Sequence, residues 1–158
     1  MYEERFMRRA IALAAQALDR PGTRPFAAVV VKDGKIVGEG LNVSAITYDP
    51  TAHGEVEAIR DACRNLKTTN LGGADLYTTG EPCSVCVGAM MISGIGGMYY
   101  GASLEQAGCA APRPDLLPDP DALREQIALP VEKRRMPAET KLADDVVSLL
   151  TQWAAGRK

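Results

Sequence analysis

The sequence predicts an α/β fold, a mixed sheet with helices on both faces, in a single domain spanning residues 1–158. Three observations carry this. Hydrophobic periodicity gives the order helix, hairpin, helix, strand, helix, strand, an alternation that buries a sheet between helical layers. The 158 residues are 46% hydrophobic and 24% charged, enough for one core and too short for two comfortable ones. No repeat or long apolar run competes, so collagen, coiled coil, long disorder and a spanning helix are excluded.

Each element has its own signal. Phe6, Ala10, Leu13, Ala14 and Ala17 recur on one helical face, and Asp19-Arg20-Pro21-Gly22 ends that first helix. Glu3 and Glu4 before it and Gln16 within it distinguish it from a signal peptide, so it is expected to stay in a mature, cytoplasmic protein. Pro25 to Val31 and Lys35 to Leu41 read as strands joined by the hairpin pair Asp33-Gly34. Residues 42–51 read as a loop, with Thr51 the N-cap of a second helix and Glu55 and Glu57 near its positive end. Ala52, Val56, Ile59 and Cys63 form its apolar stripe, while Glu57, Arg60, Asp61 and Arg64 face water. A turn at Asn70 to Gly73 leads to a short strand over Asp75 to Thr79. The third helix starts near Pro82 or Cys83 and stops before Gly94, and Met98 to Tyr100 is another strand. Residues 110–120 hold four prolines and little periodicity, an irregular excursion rather than a domain boundary. A closing helix is expected over residues 144–154.

Composition narrows the partners. Lys+Arg 18 against Asp+Glu 20 gives a net charge of -2, so no basic surplus recommends a nucleic acid, and nothing recommends a membrane. Lys133-Arg134-Arg135 is too short and lacks the aromatics of a nucleic-acid patch. Four unevenly spaced cysteines do not make a disulfide scaffold. Cys63 and Cys109 read as inert thiols, and Met90, Met91 and Met98 as core or pocket wall.

The chemistry gathers in His53-Gly54-Glu55 and Pro82-Cys83-Ser84-Val85-Cys86. A helix N-terminus suits thiolates, because its dipole and unpaired N–H groups stabilise negative charge. Cys83 and Cys86 share one helical face, and His53, the sole histidine, completes a three-ligand tetrahedral zinc site with one position open. Two thiolates and a neutral imidazole cancel the Zn²⁺ charge, so the set is buried without a counterion. Glu55 is of the type that carries protons beside such an ion. Singly, each feature has a plainer explanation: a redox pair or small core residues, a structural histidine, a dipole-paired glutamate.

Together they match the zinc deaminase signature His-x-Glu followed by Pro-Cys-x-x-Cys. At these residues the sequence resembles the cytidine deaminase-like superfamily, in the branch of guanine, guanosine and tRNA adenosine deaminases. The resemblance runs from about Arg8 to Gly108. It is carried by Arg24 to Val30, Gly38-Glu39-Gly40-Leu41-Asn42, Asp49-Pro50-Thr51-Ala52-His53 through Arg60, and Glu81 through Met90. It implies a three-layer α/β/α sandwich on a five-stranded mixed central sheet, and a homodimer. It also implies zinc on His53, Cys83 and Cys86, with Glu55 as the proton shuttle. Asn42 would hydrogen-bond the base, Phe26 would line the pocket, and the Gly54 N–H would face the exocyclic group. The implied function is hydrolytic removal of an exocyclic amino group from a small heterocycle in purine metabolism, with guanine or guanosine first. tRNA adenosine and other aminoheterocycles (cytosine, pterin, amino-triazine) are the alternatives, and a zinc-stabilised structural dimer is the non-enzyme one.

Three departures accompany the resemblance. Gly54 stands where this branch usually has Ala, which removes a methyl from the pocket wall and loosens the helix start. Ala107-Gly108 lacks the acidic pair that follows it in guanine deaminases, and Asp115 is the replacement candidate. The pocket-closing C-terminal aromatic has no counterpart in residues 154–158.

Overall fold

A computed structural model describes residues 1–110, 120–136 and 138–156. The chain divides into two units, Met1–Leu117 and Pro118–Lys158.

The first unit opens with α1 (Glu4–Ala15), then β1 (Arg24–Lys32) and β2 (Lys35–Asn42). Asp33 and Gly34 both take positive φ, 51° and 72°, the geometry a two-residue hairpin turn needs for the strand twist. The one-turn α2 (Ser44–Thr47) interrupts the loop expected over residues 42–51. Then come α3 (Gly54–Leu66), β3 (Asp75–Gly80), α4 (Ser84–Ser93), β4 (Gly97–Ala102) and α5 (Leu104–Ala110). The sheet order is β2-β1-β3-β4, antiparallel except for the parallel β3–β4 pair joined through α4.

The sheet is mixed and covered on both faces, as expected, but the described residues form four strands rather than five. After β4 the described chain is helical, α5 followed in the second unit by α6 (Pro120–Ala128) and α7 (Ala143–Ala155).

Period-two alternation in β1 sorts the core. Ala27, Val29 and Val31 pack with Phe6, Met7, Ala10, Leu13 and Ala14 of α1 and with Tyr77. Ala28 and Val30 pack on the opposite face with Ala58, Ile59 and Ala62 of α3, Leu76, and Met90 of α4.

The centre of the α3 stripe is therefore Ala58 and Ala62, both fully buried, with Cys63 only partly so. Glycine explains this. A Cβ on Gly38 would collide with Ala58 and Ala62, and one on Gly40 with Gly54 and Ala58. Helix α3 thus rests backbone-to-backbone on β2, which sets its height above the sheet. Its polar flank is less wet than expected: Arg60 and Asp61 are half-buried, and Arg60 pairs with Glu57 at 2.5 Å. Among the described residues, no helix is long and apolar enough to cross a membrane.

Candidate active site

The expected N-cap, Thr51, lies upstream of the helix start. The cap of α3 is His53, with extended backbone (φ -75°, ψ 156°) and a carbonyl that accepts from Glu57 N–H at 2.9 Å. Thr51 instead belongs to a turn of its own. The Asp49 Oδ1 accepts from the Thr51 N–H at 2.8 Å and the Thr51 hydroxyl at 2.6 Å. Arg60, reaching back from α3, donates to Asp49 Oδ2 and to Thr51 Oγ, each at 3.2 Å. These bonds, with Val43 N–H to Ala52 O at 3.1 Å, fix the segment that delivers His53.

Helix α4 begins in the same way. Cys83 is its N-cap (φ -71°, ψ 170°), and its carbonyl accepts from Val87 N–H at 3.0 Å. Neither side chain makes a cap hydrogen bond, so both turn to other partners. Cys86, in the first turn of α4, is fully buried.

The three side chains converge. His53 Nδ1 lies 3.6 Å from Cys83 Sγ and 3.4 Å from Cys86 Sγ, and the two sulfurs are 3.6 Å apart. A tetrahedral ion with ordinary Zn–S and Zn–N bonds holds its donors about 3.6 to 3.8 Å apart. The donor spacing and donor chemistry therefore fit zinc, and this is the one candidate metal group among the described residues.

The Cys83 thiol is lowered to about 4, first by the hydrogen bond it shares with Cys86 and then, against burial, by His53. Cys86 is pushed up by the same shared bond and by burial. His53 is raised, mainly by its bond with Cys83. Without metal the two sulfurs thus hold one thiolate between them. Glu55, in the first turn of α3, is 6% exposed, and burial raises its carboxyl above the usual range.

The remaining expected residues fall as follows. Asn42, at the end of β2, is 4% exposed. Phe26 lies in a break of the β1–β2 register between Arg24 and Ala27. Its ring would sit 3.1 Å from a Cβ on Gly80, beside the segment leading to Cys83. The reading of the missing Gly54 methyl is corrected: a Cβ there would meet Phe26 O at 2.5 Å and Ala27 Cα at 2.8 Å. The missing methyl belongs to a backbone crossing of β1 and α3, not to a pocket wall. Asp115 lies outside the described residues.

Two features carry no signal in the sequence. Arg60 reads there as a solvated charge, since nothing local shows that it folds back onto Asp49. Glu81, inside the second motif, accepts from Leu104 N–H at 3.0 Å and so holds the start of α5.

Comparison with known proteins follows the same lines. Residues 1–102 match the model of the cytidine and deoxycytidylate deaminase zinc-binding region. The guanine deaminase of Bacillus subtilis (strain 168) is 38% identical over 153 residues, 97% of this chain and 94% of that protein. A solved structure of the Bacillus subtilis guanine deaminase superposes with a TM-score of 0.85 at 35% identity, covering 98% of this chain and 95% of that one. A tRNA-specific adenosine deaminase of Haemophilus influenzae is 40% identical over 113 residues, 71% of this chain and 65% of that protein. The likeness to the Bacillus enzyme thus runs far beyond Gly108, where the motifs themselves end. With the ligand set, the sheet and these matches in agreement, the chain belongs to the cytidine and deoxycytidylate deaminase family and is a zinc-dependent hydrolytic deaminase.

Proposed function

We propose that the heterocycle deaminated is guanine or a close guanine-like purine. The observation that carries this is the extent of the match. Likeness to the Bacillus guanine deaminase spans 97% of the chain, whereas the tRNA adenosine deaminase match spans 71%. The added stretch lies largely beyond the zinc-binding region, where loops and helices outside the metal site select the ring.

The overall reaction exchanges an exocyclic amine for a carbonyl oxygen at the expense of water and releases ammonia. Bound zinc supplies the Lewis acidity that makes water a nucleophile near neutral pH. His53, Cys83 and Cys86 hold it. Glu55 takes a proton from the attacking water and passes it to a ring nitrogen, then carries the proton of the newly added hydroxyl to the departing amine as the C–N bond breaks and the carbonyl forms. Its burial suits both directions, since a raised carboxyl pKa brings acid and base forms closer to neutral pH. Asn42 hydrogen-bonds the ring, Phe26 packs against it, and the Gly54 N–H faces the exocyclic group. Asp115 supplies the carboxylate missing after Gly108.

Both units act together as one deaminase domain, and the protein is a homodimer. The outer face of α4 supports the dimer: Val85, Met91 and Ile92 are exposed, Ile92 by 90%, beside Met98 and Tyr100 on the edge strand β4. A second copy is the occupant of that face, and Met91→Glu with Ile92→Glu is expected to give a monomer by light scattering. Reduced cysteine ligands suit a cytoplasmic setting, and a guanine substrate places the reaction in purine metabolism.

The test is ammonia release by zinc-loaded protein against guanine, guanosine, adenine, cytosine, pterins and amino-triazines, with Glu55→Ala as the blank. Release from guanine alone supports the proposal; release from another ring replaces the substrate. Release only from an adenosine-containing tRNA, with steep salt dependence, would favour the reading that the Haemophilus match supports.

A further inference from the structure

We propose that Ser44 is a positioning residue that locks the Asn42 carboxamide in one orientation, so that Asn42 meets the ring as a hydrogen-bond donor only. The inference rests on the reading of Asn42 as a ring contact and adds which edge chemistry that contact accepts.

One bond at Asn42 has a direction that is not open to choice. A backbone N–H can only donate. The Ser44 N–H lies 3.3 Å from one amide atom of Asn42, and the Ser44 hydroxyl lies 2.9 Å from the same atom. That atom must be the carbonyl oxygen, whatever ambiguity an Asn amide otherwise carries. The arrangement is an Asx turn into α2. A carbonyl oxygen has two lone pairs, and Ser44 fills both.

What remains of the amide is its NH₂ group. Among the described residues Nδ2 bonds no partner, although Asn42 is 4% exposed. Its place beside the metal ligands is fixed by the backbone. Asn42 ends β2, and the next N–H, that of Val43, bonds the carbonyl of Ala52, the residue before His53.

The consequence is a filter on ring edges. A guanine edge presents two acceptors, O6 and N7, whereas an adenine edge presents the N7 acceptor beside an N6 amino donor. A free Asn amide serves the adenine edge well, with its oxygen taking the amino group. With its oxygen occupied by Ser44, Asn42 meets that amino group donor to donor and leaves buried groups unpaired. An edge of acceptors alone suits it.

Ser44→Ala removes the hydroxyl and keeps the N–H. Ser44→Pro removes both donors at the first position of a helix, where proline is tolerated. Ser44→Thr keeps both. Calorimetric titration of the zinc-loaded protein with hypoxanthine, which carries the O6/N7 edge, and with adenine reads the filter without turnover. The wild-type protein is expected to favour hypoxanthine by at least about 10-fold. The preference shrinks in Ser44→Ala, shrinks further in Ser44→Pro and returns in Ser44→Thr. With guanine as substrate, KM rises in Ser44→Ala by more than kcat falls. Asn42→Asp, which replaces the NH₂ by an acceptor, inverts the preference.

No preference in the wild type, no binding of either base, or a preference unmoved in Ser44→Ala and Ser44→Pro would overturn the lock. So would loss of zinc in Ser44→Ala, which would make the serine a folding residue. Failure of guanine turnover with the hypoxanthine preference intact would instead remove the substrate proposal and leave the lock standing.

Discussion

The zinc-binding region and the C-terminal helices are built on different terms. In residues 1–102 the decisive approaches are between backbones: Gly38 and Gly40 admit α3 onto β2, and Gly54 admits β1 onto the start of α3. In the second unit the apolar side chains are outward: Leu142, Val147, Leu149 and Leu150 of α7 and its approach are all more than half exposed. The difference teaches where tolerance lies. Ligand spacing of 3.4 to 3.6 Å leaves no slack, so the elements that carry it are pinned by residues too small to move apart. The exposed side chains of the second unit carry no such constraint on their own packing.

The widest gap between the two regions is expected in turnover. Glu55→Ala should lower kcat by about 10²- to 10⁴-fold while metal analysis still finds zinc, since Glu55 is not among the three ligand groups. Near-normal turnover would remove Glu55 from the proton path. Loss of zinc would make it a support of the site instead.

Next in size is the close packing itself. Gly40→Val drives a side chain into Gly54 and Ala58 and should destabilise by about 1 to 3 kcal/mol or more, as overpacking does. Gly108, on α5, meets nothing within 4 Å, and Gly108→Ala should stabilise by up to about 1 kcal/mol through helix propensity alone. Chemical denaturation of the pair measures both. Equal effects would show that α3 has room to rise from the sheet.

These close approaches also mark how far the sequence can be read. Ligand identity is legible because zinc chemistry restricts both residue type and spacing: His53, Cys83 and Cys86 converge as expected. The hairpin is legible because Asp33-Gly34 encodes its turn locally. The seat of α3 is not. Ala58 and Ala62 are weak hydrophobic signals, and their burial depends on glycines some twenty residues away. Gly54 misleads for the same reason, since its neighbour is β1 rather than anything adjacent in sequence. Thr51 draws the expected start of α3 two residues early because it has a capping side chain, but Asp49 and Arg60 claim it. Helices α5 and α6 flank the proline-rich stretch and carry too little periodicity to announce themselves.

A smaller effect sharpens the contrast from the other side. Asp115→Asn should raise KM for the ring by about 10-fold, the cost of one charge-assisted hydrogen bond. Zinc content and thermal midpoint should stay as they are. Unchanged kinetics would remove Asp115 from the site. A fall in zinc content would mean that the chain beyond residue 102 supports the metal as well as the ring.

The smallest expected effect concerns the turn that delivers His53. The Thr51 hydroxyl, then the Thr51 N–H and Arg60 hold the Asp49 carboxyl below its usual value of 3.8. A carboxyl depressed in the folded state contributes stability above its ordinary pKa, and that contribution is lost as pH falls through the folded value. Asp49→Asn should therefore lower the thermal midpoint slightly at pH 7, and the gap should close on acidification below about pH 4. The pair is reached by solvent, so added salt should narrow the gap as well. Arg60→Met tests the same clamp at the metal, where faster loss of zinc to a chelator is expected because His53 is less firmly presented. A gap that stays flat on acidification from neutral pH to below about pH 4, with chelation unchanged in Arg60→Met, would mean that Pro50 and the backbone bonds hold the turn without the charge. The zinc-binding region would then owe its rigidity to backbone packing alone.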